Sequence, residues 1–229
     1  FPGLIVAGAL LGIAGRWVES RRLSLTRDER RFVAGGLIAT ALLVPASALL
    51  HGGFGAWGEF FENSRTHLST PLANHVGLRT VLAHDPELTT ETARDPELAD
   101  PMARWKQARK DRFEAQRWFF GALVLVFAGL VARAGAGQPL WIGAALGITL
   151  IPIAAELTGY YWAVLLGLAV LAERHRDVGA ALCGLAAVGW GIAQHWHWTD
   201  EIHVWLSVVT VAFCVFTVLL VTPRASAPD

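Results

Sequence analysis

Seven apolar stretches divide the chain, at residues 1–17, 32–50, 118–134, 139–155, 157–173, 178–196 and 203–222. Each approaches the roughly 20 residues that an α-helix needs to cross the hydrocarbon core of a bilayer. None has the short strict alternation of a membrane barrel strand. The pattern predicts an all-α fold: a polytopic membrane protein of about seven transmembrane helices, with one long external loop that contains an amphipathic helix. The fourth and fifth stretches share one apolar run from 139 to 173, where Pro152 and the Glu-Leu-Thr-Gly sequence at 156–159 supply the break. The glycines of VAGALLGIAG and GALVLVFAG lie inside apolar runs, where they suit close helix packing better than phosphate binding.

The polar positions between these stretches orient the chain. The first connection, RWVESRRLSLTRDERR, carries Arg16, Arg21, Arg22, Arg27, Arg30 and Arg31. Seven alternating spans put Arg133, Arg174, Arg176 and Arg224 on the same side. The short turns of the other side, near 156–160 and 197–203, contain no Lys or Arg. Positive charge in short loops marks the cytoplasmic face. The segment from His51 to Arg117 is then external, which in a bacterial inner membrane means periplasmic. The expected organisation is 1–50 (two helices and a basic cytoplasmic loop), 51–117 (external region), 118–222 (five-helix bundle) and 223–229 (cytoplasmic tail).

Within the external region, FGAWGEFF suits a membrane interface. The stretch TARDPELADPMARWKQARKDRFEAQRWFF reads as a helix capped by Asp100, with Pro101 in its first turn. Its apolar face of Trp105, Ala108, Phe113 and Trp118 suits a helix lying on the membrane surface. A surface for anionic head groups or phosphate is the sharper alternative.

Composition narrows the class. Of 229 residues, 54% are hydrophobic and 17% charged, and the formal net charge is zero, so membrane lipids are partners and nucleic acid is not. Cys183 and Cys214 fall in apolar helices and read as small core residues, not a disulfide. The only lysines, Lys106 and Lys110, lie in the external region, so no membrane helix offers a retinal Schiff base. The chain opens on Phe1 without a basic region before the apolar run. That start is expected to be a membrane helix of a processed or longer protein, not a signal peptide.

Two external regions carry candidate chemistry. THLSTPLANHVGLRTVLAHDP holds His67, Thr70, Asn74, His75, Arg79 and His84. Arginine suits bidentate binding of phosphate or carboxylate, and His and Asn can orient a polar ligand. The plainer alternative is a folded loop satisfied by these groups. The second region, QHWHWTDEIH, crowds His195, His197, Asp200, Glu201 and His203 at the external end of the last two spans. Its histidine spacing is compatible with a metal, while its tryptophans suit an interfacial belt. Glu156 stands at the external end of the fourth span, either as a functional carboxylate or as a cap for the next helix.

The order of these features resembles the C-terminal half of polyprenyl-phosphate-dependent membrane glycosyltransferases of the C type, the bacterial mannosyltransferase-like branch in particular. The resemblance rests on Trp57, Phe60, Asn74, Gly77, Leu78 and Arg79, and on Pro152, Ile153, Glu156, Tyr160 and Tyr161, within residues 40 to 175. It implies an external site for an isoprenoid-phosphate sugar. Arg79 would meet phosphate, Asn74 or His75 the sugar, with His67, Tyr160 and Tyr161 as further substrate contacts and Glu156 as the nominated catalytic carboxylate. In that family the catalytic carboxylate follows the first span, whereas here the first loop is basic and cytoplasmic. The resemblance therefore also implies a catalytic residue outside this chain, or lost activity. Two other functions remain open: a non-catalytic subunit that docks other membrane subunits through 51–117, and a transporter or metal- or cofactor-binding protein using His195, His197 and His203.

Overall fold

The structure is a computed structural model that describes residues 2–197 and 199–223, with the side chains of 67–69 excepted. Arg224 and the expected tail at 223–229, apart from Pro223, lie outside the described residues. The elements are helices α1 (Pro2–Ser20), α2 (Arg27–Leu50) and α3 (Gly55–Ser69), strand β1 (His75–Val76), helices α4 (Leu78–Leu82), α5 (Ala103–Ala115), α6 (Arg117–Gly135) and α7 (Leu140–Ala154), strand β2 (Leu157–Thr158), a 3₁₀ helix (Gly159–Glu173), and helices α8 (Arg176–His195) and α9 (Thr199–Val221). The fold is helical, with one two-residue antiparallel ladder among the described residues. Among the described residues five helices, α1, α2, α6, α8 and α9, are long and apolar enough to cross a membrane, and α7 and the 3₁₀ helix are shorter apolar helices.

The chain forms two compact units, one of Phe1–Ser20 with Pro71–Asp229 and the other of Arg21–Thr70. The two helices of the 1–50 segment thus belong to different units.

In the first unit α7 is the central element. Its sequence is apolar all round, and the buried residues run without a break from Ala145 to Ile153. Leu146, Ile151, Leu157, Leu168, Leu171, Val178 and Val218 close the core around it. Helix α1 lies against α6 and α7 through glycines. A Cβ on Gly147 would come within 2.5 Å of the Leu4 carbonyl oxygen, and one on Gly12 within 3.1 Å of the Gly135 carbonyl oxygen. Only residues without a side chain allow backbones this close, and in lipid such close packing replaces the missing hydrophobic drive between helices. Leu4 meets Gly147 and Gly8 meets Gly143, so α1 runs antiparallel to α7.

In the second unit α2 begins five residues before the apolar stretch. Thr26 caps it: its hydroxyl accepts from the Glu29 N–H at 3.3 Å, and the Glu29 carboxylate accepts from the Thr26 N–H at 2.7 Å. The indole of Trp57 in α3 donates to the Ser47 hydroxyl of α2 at 3.1 Å.

Helix α5 differs from expectation in two respects. It starts at Ala103, because Asp100 accepts from the Met102 N–H at 3.0 Å and closes a turn instead of capping at Pro101. Its apolar stripe is also turned inward. Trp105, Arg109 and Phe113 are buried at i, i+4 and i+8, while Trp118 belongs to α6 and is exposed. The stripe therefore covers protein, not the membrane surface.

Candidate functional site

The ladder pairs His75 with Thr158 and Val76 with Leu157, and the Gly159 N–H extends it by donating to the Asn74 carbonyl at 2.8 Å. Leu157 and Val76 are both fully buried, which fixes the register from the apolar side. The chain then turns at Gly77, whose φ is +151°. A Cβ there would lie 2.7 Å from the Pro152 carbonyl oxygen and 2.9 Å from that of Ala155. Glycine is needed on both counts. The Gly77 N–H donates to the Ser207 hydroxyl at 3.0 Å, and Ser207 in turn donates to the His203 carbonyl, which ties the turn to α9.

This geometry delivers three side chains to Glu156. Its Oε2 lies 3.2 Å from His75 Nδ1 and 3.7 Å from the Arg79 guanidinium. Its Oε1 lies 3.0 Å from the Thr80 hydroxyl. That hydroxyl is also 3.2 Å from the His75 carbonyl, so its single proton is shared between two acceptors. The His75 and Glu156 side chains are only 4% and 7% exposed, while Arg79 is 23% exposed. Burial opposes ionisation of Glu156. It is outweighed by the His75 hydrogen bond and the charges of His75, Arg79 and Arg109, which hold the carboxyl below its usual range. Glu156 is thus an engaged, ionised carboxylate with few open lone pairs, not a free base.

Helix α5 completes the site with residues that sequence reasoning passed over. The Arg79 guanidinium lies 4.2 Å from the Phe113 ring centroid, and that of Arg109 lies 4.8 Å from the Trp105 ring. Arg109 is 4% exposed, and its Nε has no hydrogen-bond partner among the described residues. Burial lowers its pKa, against the pull of Glu156 and Asp200. The available signal was the Trp105–Arg109–Phe113 spacing. Asp200 pins the loop between α4 and α5, accepting from the Thr90 N–H at 2.9 Å and the Thr90 hydroxyl at 2.6 Å. Burial and then the Arg109 charge hold His84 below its usual range, with Asp200 opposing.

Of the expected substrate contacts, His75 and Arg79 join Glu156, and Asn74 contributes its backbone carbonyl. The Thr70 hydroxyl donates to the Thr66 carbonyl within the second unit. The His67 side chain lies outside the described residues. The rings of Tyr160 and Tyr161 meet at a tilt of 56° with centroids 4.7 Å apart, and the residues are 69% and 51% exposed.

The histidines of the other region separate. His203 Nδ1 donates to the Thr199 carbonyl, His195 packs on Trp196, and His197 is exposed. Among the described residues no three His, Cys, Asp or Glu side chains form a group able to hold a metal. Trp196 in turn meets Trp205, which is 45% exposed.

In comparisons with known proteins, no family model, no curated protein and no solved structure matches this chain.

Proposed function

We propose that the protein is the membrane-embedded part of a glycosyltransferase-like protein that binds an isoprenoid-phosphate sugar at the Glu156 cluster. One observation carries this reading. The two segments behind the glycosyltransferase resemblance, 74–79 and 152–161, meet through the β1–β2 ladder, and Arg79 stands beside the carboxylate where they meet. In this reading Arg79, partly exposed, meets the phosphate. Arg109 lends charge from behind. Glu156 is a positioning residue that aims Arg79 and His75, and the base that activates the acceptor hydroxyl lies elsewhere.

Seven spans, with the site on the external side of a bacterial inner membrane, complete the proposal. The 15-residue 3₁₀ helix supports the count. At about 2.0 Å per residue it reaches about 30 Å, the thickness of the hydrocarbon core. The orientation is supported by Arg133, Arg174 and Arg176, which lie at the other ends of the helices that lead to the Glu156 turn.

The test is binding of an undecaprenyl-phosphate-linked sugar to the purified chain. Arg79→Gln is expected to weaken binding at least about ten-fold, as loss of a charge-assisted contact does, in a protein that still folds but melts at a lower temperature, because Glu156 loses a cationic partner. No binding by the unaltered chain, or equal binding by the variant, overturns the proposal.

A second reading, a non-catalytic subunit of a larger membrane complex, is favoured by α2. Leu37, Ile38, Leu42, Leu43, Leu49 and Leu50 of that helix are all exposed, an apolar face that suits lipid or a partner helix. Site-specific crosslinking from Leu42 in native membranes separates the two: protein adducts favour the subunit, lipid adducts alone the first reading.

A further inference from the structure

At the other end of the first unit, the α6–α7 turn, the turn before α8 and the end of α9 border an open cleft of about 690 Å³. Its wall is divided by chemistry. Arg174, Arg176, Asp177 and Gln138 line one part, and Phe216 and Leu219 of α9 line the other. Neither guanidinium has an ion-pair or hydrogen-bond partner among the described residues, and Arg174 lies 5.6 Å from the ring of Trp141. Phe216 and Leu219 are 46% and 56% exposed, so the apolar wall opens outward along α9.

A soluble anion would use the arginines and ignore Phe216 and Leu219, and an uncharged lipid would do the reverse. We infer that this cleft binds an anionic membrane phospholipid, its phosphate between Arg174 and Arg176 and an acyl chain along Phe216 and Leu219. Basic pockets between membrane helices on the cytoplasmic side suit such head groups. Asp177 opposes the two positive charges and limits the affinity. The inference requires only that these helices lie in a membrane, and it is independent of the glycosyltransferase reading.

The experiment uses the full chain in mixed micelles of phosphatidylglycerol and phosphatidylcholine, with retained lipid counted by native mass spectrometry. Phosphatidylglycerol is expected to be retained roughly ten- to thirty-fold over phosphatidylcholine, from two arginines near the surface. Arg174→Gln with Arg176→Gln is expected to remove that preference, and Phe216→Ala with Leu219→Ala to lower retention of both lipids. Equal retention of the two lipids by the unaltered chain overturns the inference, as does an unchanged preference in the arginine variant. Inorganic phosphate is the separate arm. If it displaces phosphatidylglycerol at millimolar concentration, the site takes a free anion and the lipid assignment falls. Should the double arginine variant not fold, Asp177→Asn decides: it must raise the preference, and failure to do so overturns the inference.

Discussion

The Glu156 carboxylate meets the His75 imidazole at 3.2 Å across 81 positions of sequence. Three further features hold this contact in place: the two-residue ladder, the Gly77 turn and the Thr80 hydroxyl. A carboxylate this buried must be paired or protonated. Here it is paired, and two of its three partners, His75 and Arg79, are residues that the sequence offered as ligands for a substrate.

Replacing Glu156 by Ala should therefore destabilise the first unit. The change leaves His75 and Arg79 without their acceptor, and breaking a buried pair costs about 3 kcal/mol or more. Thermal unfolding in detergent should show a clear fall in melting temperature. Glu156→Gln should lose less, because the amide oxygen still accepts from Thr80. Equal stability of all three proteins would show that the pair contributes nothing.

Acid should remove the same contribution. The folded-state pKa of Glu156 lies below its unfolded value. Its stabilisation is then complete above the unfolded glutamate value of about 4.3 and is lost as pH falls through the lower folded value. His84, also depressed, acts with the same sign at higher pH. The neutral form is favoured in the fold, so its contribution is complete above about 6.5 and is lost as pH falls through the folded value. Melting temperatures measured between neutral and strongly acidic pH should decline in two limbs. Glu156→Gln should flatten the lower limb and His84→Asn the upper.

Gly77→Ala should be among the most damaging single-methyl additions in the chain. The new Cβ faces two carbonyl oxygens at 2.7 and 2.9 Å in a backbone conformation that disfavours side chains. A loss above about 1 kcal/mol is expected. Gly184→Ala in α8 is the control. A Cβ there meets nothing within 4 Å, so the change should be neutral or stabilise by about 0.5–1 kcal/mol through helix propensity. Similar melting temperatures for the two variants would refute the argument.

The glycine contact of α1 makes a parallel case. Gly147→Val places a branched side chain against the Leu4 and Ile5 carbonyls, 2.5 and 2.7 Å from the Cβ position. The helices must separate, and the expected cost is 1–3 kcal/mol or more, as in overpacked cores (about this range). A disulfide engineered across α1 and α7 should form readily in the parent chain and poorly in the variant.

The helical layout was largely legible in the sequence, because bilayer thickness sets the length of an apolar run and one side chain after another repeats the signal. The apolar stretches at 118–134, 139–155, 157–173, 178–196 and 203–222 fall within a few residues of α6, α7, the 3₁₀ helix, α8 and α9. The break at 156–159 was legible too, since proline and glycine punctuate locally. His75, Arg79 and Glu156 were visible as polar residues in apolar surroundings. Their mutual contact was not, because it depends on a two-residue ladder too short to leave a pattern. Nor was Arg109, which in sequence is one basic residue among several on a polar helix. Only packing turned the Trp105–Arg109–Phe113 stripe inward. Local composition determines which segments leave water. Which charged groups they carry inward together is decided by long-range packing, where close backbone approach at glycines and the need to pair a buried charge select the partners.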